Sequence, residues 1–187
     1  MAALAGETNP VIAEDLATVL ALLDERRDNL VTHHTRLINE LHALMRDLLA
    51  GGAPTDLTVA SASRLLATVR PTGPAEAARK QVARDVINEV REIDARSKKI
   101  TAQIATTVAE HGSSLPEVDG IGPVIAGRLL GRTRSAGRFP TSAAFATYAG
   151  VAPIEVASAE HSRHRLPRGG DCQLNLALHI IALTQNA

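Results

Sequence analysis

The sequence predicts an all-α protein: a long antiparallel helical hairpin or coiled-coil arm, then a small helical domain containing a helix-hairpin-helix motif. Three observations predict it. Aromatic residues make up only 2% of the 187 residues while 45% are hydrophobic, so the core is built from Ala, Leu, Ile and Val, a palette that favours helix over sheet. In the first 112 residues the apolar positions recur at helical spacing. Beyond "HGSSLPE" the helical pattern is broken repeatedly by Gly and Pro. We therefore divide the chain into an arm, 1–112, and a second domain, 113–187.

The elements follow in order. Ile12, Leu16, Val19, Leu23, Leu30, Leu37, Leu41, Leu44 and Leu48 mostly step by three, four or seven, which gives one amphipathic helix over about 11–50. "GGAPTD" closes it, and Thr55 or Asp56 can cap a short second helix carrying Val59, Leu65, Leu66 and Val69. "RPTGP" stops that helix. A third runs over about 75–111 with Val82, Val86, Val90, Ile93, Ile100, Ile104 and Val108 on one stripe. Two long helices with narrow apolar stripes read as a hairpin or as an arm that pairs with a second copy; a plain helical bundle fits the periodicity equally. Short helices are expected at about 123–131, 141–149 and 171–184, the last capped by Asp171. Phe139, Phe145 and Tyr148 fall within ten residues and are expected to form the small core of the second domain, base stacking being the alternative.

Composition narrows the function. Cys172 is the single cysteine, which excludes an intramolecular disulfide and points to a reducing compartment. "MAALAGETNP" has no basic region ahead of an apolar core, and no apolar run approaches the ~20 residues a bilayer requires. A cytoplasmic protein with no membrane partner is the expectation. Net charge is zero, but all seven basic residues beyond 112 are arginines, and a guanidinium grips phosphate with a bidentate fork.

Two segments carry chemistry. In "LPEVDGIGPVIAGRLLG", Gly120, Ile121 and Gly122 form a turn ahead of a helix starting at Pro123. That arrangement leaves backbone N–H groups at a positive dipole end. It is similar to a helix-hairpin-helix, whose backbone clasps a DNA phosphate without reading sequence; an ordinary glycine turn is the plainer alternative. Arg128 follows on the same helix. In "GVAPIEVASAEHSRHRLPRGG", Ser158, Ser162, His161, His164, Arg163, Arg165 and Arg168 crowd into a segment bracketed by prolines and glycines. A zinc site from His161, His164 and Cys172 lacks a fourth ligand at a usual spacing, so no metal ligands are assigned. A Ser-His-Asp hydrolase lacks its G-x-S-x-G elbow. A solvated loop and a nucleophile beside an anion-binding surface both stay open. Asn175 and His179, four apart on the last helix, share a face that can turn toward this segment.

Taken together, "GIGPVIAGRLLGRTRSAGRFPTSAAFATYAGVAPIEVASAEHSRHRLPRGGDCQLNLALHI" resembles the C-terminal domain of insertion-sequence transposases of the IS-one-ten type (IS116/IS902-like, bridge-RNA-guided). The GIGP hairpin, the RFP segment, YAG-x-AP-x-E, the serine segment, H-R-L-x-R-x-G-[ND] and "QLNLALHI" stand in the family's order. "LLDERRDNLVTHHTRLINELHALM" and "LLAGGAPTDL" are similar to its coiled-coil region. The resemblance implies DNA transposition, with Ser158 as the serine that attacks a phosphodiester and Arg163, Arg165 and Arg168 as its basic neighbours. It implies DNA as partner, a guide RNA, and a homo-oligomer or full-length transposase. It implies no cofactor within this chain, Mg²⁺ being expected only through a RuvC-like carboxylate domain that residues 1–112 do not supply. Ala159 stands where the family has Gly, and Pro167 where it has a polar or small residue. The expectation is thus a transposase piece, truncated and catalytically incomplete alone. Two alternatives stand beside it: a non-enzymatic helix-hairpin-helix DNA-binding module on an oligomerising arm, inhibiting a full-length transposase, and a helical scaffold binding no nucleic acid.

Overall fold

The computed structural model describes residues 14–158, 161–165 and 169–186, with strand side chains described only at Arg165. The class is all-α as expected, with one two-stranded hairpin added. Its elements are α1 (Leu16–Leu48), α2 (Val59–Thr68), α3 (Pro74–His111), a 3-10 turn (Leu115–Glu117), α4 (Pro123–Thr133), a second 3-10 turn (Ala136–Arg138), α5 (Ser142–Tyr148), β1 (Ile154–Ser158), β2 (His161–Arg165) and α6 (Cys172–Gln185). They divide into two compact units, Leu23–Thr106 and Met1–Leu22 with Thr107–Ala187.

The Leu23–Thr106 unit is held by an aliphatic stripe. Leu30, Leu37, Leu41 and Met45 of α1 pack with Ala62 and Leu66 of α2 and with Ala83, Val86, Val90 and Ile93 of α3. His34 faces Asp94 (3.4 Å) and Asp47 faces Arg79 (3.8 Å), so numbers rise along α1 as they fall along α3 and the two helices are antiparallel. Arg91 Nη2 donates to Ser63 Oγ at 2.9 Å, tying α2 to α3. Lys80 Nζ donates to the Val69 carbonyl at 2.6 Å; burial, then the positive fields of Arg84 and Arg70, lower its pKa.

Three details depart from expectation. Leu16 and Val19 are exposed while Ala17 and Leu20 are buried, and Val82 is exposed while Ala83 is buried. In both helices a small alanine takes the contact, because it lets a neighbouring element come closer than a branched chain would. The cap of α2 is Thr58, neither Thr55 nor Asp56: its hydroxyl accepts from Ser61 N while Ser61 Oγ accepts from Thr58 N. The polar segment, for which no strand was expected, contains the antiparallel strands β1 and β2. The alternation of Ile154, Glu155 and Val156 was the signal for it, cut short at Ala157.

Candidate nucleic-acid interface

The second unit begins with the glycine turn. Ile121 N donates to Val118 O at 3.0 Å, and Gly120 sits at φ +84°, a conformation L side chains rarely adopt. A β-carbon there would lie 3.1 Å from Thr184 Cβ, and Gln185 Nε2 donates to Asp119 O at 3.2 Å, so the end of α6 presses on the turn. Gly122 has extended backbone and no side chain to cap α4, and Pro123 at the first helical position has no N–H. The exposed start of α4 therefore presents its first-turn N–H groups uncapped, the arrangement that attracts an anion. The preceding segment is a single 3-10 turn, not a second α-helix. Ile121 itself is buried and anchors the turn.

Close backbone packing holds the base of the β-hairpin. A β-carbon on Gly170 (φ +109°) would meet Gly150 Cα at 2.7 Å and Gly150 N at 2.8 Å. Asp171 N donates to Tyr148 O at 2.8 Å. Asn175 Nδ2 donates to Gly150 O at 2.9 Å, so Asn175 does grip the polar segment, whereas His179 is exposed. Asp171 caps α6 as expected, accepting from Gln173 N and Leu174 N at 3.0 and 3.1 Å. Its second oxygen pairs with Arg132 Nη1 at 3.4 Å.

The strand register pairs Ile154 with Arg165, Val156 with Arg163 and Ser158 with His161. Paired positions share a face and alternate along each strand. Positions 158, 163 and 165 thus fall on one face, and 155, 157, 162 and 164 on the other. The side chains of Ser158 and Arg163 are outside the description; Arg165 is exposed. Arg168 lies outside the described residues.

Arg128, expected among the DNA contacts, is only 4% exposed and already has a partner. Its guanidinium is part of the interior and is not offered at the surface. Sequence periodicity missed this because α4 buries Arg128 between Gly127 and Leu129. Sequence reasoning also passed over Arg134 and Arg138. Arg134 is the single non-glycine residue with positive φ (+60°) among those described. Arg138 lies over the rings of Phe139 and Tyr148, 5.4 and 5.2 Å from their centroids. Those rings do cluster, Phe139 being 5.2 Å from both Phe145 and Tyr148. None of the three is buried, however, so they are not the closed core the sequence suggested. Nearby, hydrogen bonds from the Thr18 backbone N–H and then its hydroxyl lower the Asp15 pKa, with Arg134 adding to the effect. Among the described residues no three His, Cys, Asp or Glu side chains stand together as metal ligands, and no helix is long and apolar enough to cross a membrane.

Residues 112–187 match the model of the family described as "Transposase IS116/IS110/IS902 family". A curated protein of Pseudomonas aeruginosa described as "Probable family 20 transposase" is 29% identical over 157 residues. The match covers 81% of this chain and 46% of that protein, so the chain spans just under half the length of the relative. The family drawn from the sequence motifs and the family matched are the same.

Proposed function

Because residues 112–187 match the model of the IS116/IS110/IS902 transposase family, we propose that this chain binds DNA for transposition and presents Ser158 as the attacking nucleophile. The register of the β-hairpin carries the reading, since it gives Ser158, Arg163 and Arg165 one common face. Arginines there would neutralise the phosphate approached by the serine oxygen. In the step, Ser158 Oγ gives up its proton and bonds to phosphorus as one phosphorus–sugar oxygen bond breaks. The departing sugar oxygen takes a proton, and the DNA end is left as a phosphoserine ester. His161, the cross-strand partner of Ser158, is the candidate proton acceptor.

DNA is held, in this reading, by the uncapped start of α4 at Gly122 in the manner of a helix-hairpin-helix. The exposed Val31 and Val82 support self-association of the helical arm or assembly with a full-length transposase, and a guide RNA is a further expected partner. A second reading keeps the DNA binding without the chemistry. It is favoured by the uncapped start of α4, whose N–H groups can hold a phosphate with no part for Ser158.

The test is a search for a denaturation-resistant protein–DNA adduct, with and without a full-length family transposase. We expect an adduct that Ser158→Ala abolishes while duplex binding stays within about twofold. An adduct that survives Ser158→Ala, or none under any condition, overturns the catalytic assignment and leaves the module. Affinity independent of salt overturns the DNA reading itself.

A further inference from the structure

We propose that the cleft beside the aromatic cluster of the second unit receives one unpaired base of a DNA strand, with Arg134 on the adjoining phosphate. The proposal rests on the DNA-binding reading above and adds a site to it.

The cleft has a volume of about 660 Å³, inside the range of roughly 300–1,000 Å³ typical of small-ligand pockets. Its walls are apolar, formed by Leu115, Ile121, Leu129, Phe139, Phe145 and Ile181. Arg134 and the hydroxyl-bearing Thr133, Thr141 and Ser142 also line it. A flat apolar body with an anionic neighbour fits that division, and a nucleotide has both.

The aromatic placement supports the choice. The whole chain holds two Phe, one Tyr and no Trp; Phe139 and Phe145 line the cleft and Tyr148 packs against Phe139, all three partly exposed rather than packed away. An aliphatic core needs no aromatics, whereas a base stacks on them whatever its sequence.

The charges agree. The Arg134 side chain is exposed, and its guanidinium makes no hydrogen bond or ion pair with any described residue. Its backbone is fixed at φ +60°, with its N–H bonded to Leu130 O at 2.8 Å. Asp15 is its acidic neighbour, with Oδ1 of that carboxylate accepting from the Thr18 N–H and hydroxyl at 2.8 and 3.1 Å. Arg138 adds a second positive charge, held against Phe139 and Tyr148 while donating to Thr133 O at 3.2 Å. Arg132 is neutralised by Asp171. A duplex keeps its bases stacked inside, so only a single-stranded or flipped base reaches a cleft of this kind.

The probe is a single-stranded DNA oligonucleotide carrying 2-aminopurine, read by its fluorescence and by anisotropy; without tryptophan the protein contributes little background. Binding is expected to change the 2-aminopurine emission. Arg134→Gln is expected to weaken single-strand binding about tenfold and Arg134→Lys to restore part of it. Ala136 is exposed and lines the cleft, so Ala136→Phe fills it without disturbing a buried side chain. That variant should remove the emission change and cost roughly tenfold to a hundredfold in single-strand affinity, leaving duplex affinity within about twofold.

Binding with no emission change, or a change that Ala136→Phe leaves intact, overturns the proposal while the DNA reading stands. An RNA oligonucleotide of the same sequence bound more tightly with the same response overturns the choice of DNA. Self-association lost in Ala136→Phe, with no oligonucleotide response, assigns the cleft to a second copy instead. A chain that binds neither single-stranded nor duplex DNA fails at the parent reading.

Discussion

The described glycines of the Leu23–Thr106 unit all stand in open surroundings, whereas four of the second unit, Gly120, Gly131, Gly150 and Gly170, stand against other atoms. Around Gly51, Gly52 and Gly73, in the Leu23–Thr106 unit, a β-carbon would meet nothing within 4 Å. In the second unit, β-carbons on Gly131 and Gly170 would fall 2.6 Å from Ala21 N and 2.7 Å from Gly150 Cα. The arm uses glycine in the connections between helices, and its stability comes from a repeated aliphatic stripe. The second unit uses glycine to bring backbones into contact, and it leaves its aromatics partly exposed. One region is held by repetition. The other is held at a few positions where only one residue type fits, and those positions surround the candidate interface.

The largest effect should come from adding one methyl group at such a position. Gly170→Ala combines left-handed strain of about 1–3 kcal/mol with overpacking of about 1–3 kcal/mol, so it is expected to destabilise by roughly 2–6 kcal/mol. Gly51→Ala should stay within about 0.5 kcal/mol. Chemical denaturation, with hydrogen exchange of α6 amides, separates the two. Equal effects would break the contrast, because Gly170 would then be punctuation as well.

The next effect sharpens the other side. Leu41, 1% exposed within the arm's core, should cost about 3 kcal/mol as Leu41→Ala, within the usual range of roughly 2–5. Val31, 46% exposed on the same helix, should cost less than about 0.5 kcal/mol as Val31→Ala. Urea midpoints at constant slope measure both. A large loss at Val31 would mean that the exposed face is covered by another copy in solution.

Much of this was legible in the sequence, for physical reasons that differ by region. The helices, the closing "GG", the Asp171 cap and the Pro123 start follow from local rules of spacing and capping, which need no tertiary knowledge. What was missed depends on partners distant in sequence. Ala17 and Ala83, not Leu16 and Val82, face inward because of what approaches them. Arg128 is buried although charge alone suggests surface. The aromatic cluster looked like core because clustering in sequence does not reveal that one side stays open. At the candidate site, the glycine turn and the serine segment were found, but the strand pairing that relates Ser158 to Arg163 and Arg165 was not. Arg134 carried no sequence signal, since its positive φ arises only at the end of α4.

The smallest change in stability should accompany an informative change in binding. Gly120 and Gly122 flank the same turn, yet only Gly120 is conformationally required, at φ +84° and with an added β-carbon 3.1 Å from Thr184 Cβ. Gly122 has φ −73° and ψ 169°, open to any residue, with nothing within 4 Å of an added β-carbon. Gly122→Ala should therefore fold normally, losing at most about 1 kcal/mol for alanine at a helix N-cap. If a DNA phosphate sits on the first-turn N–H groups of α4, the new methyl stands between them. Duplex affinity should then fall about tenfold, the scale of one hydrogen bond to a charged group. Titrations at two salt concentrations, beside a thermal unfolding curve, make the comparison. Unchanged affinity would mean that the open ground at Gly122 is ordinary turn geometry and that DNA is held elsewhere. A fall in affinity without a fall in stability would identify it as space kept clear for a ligand.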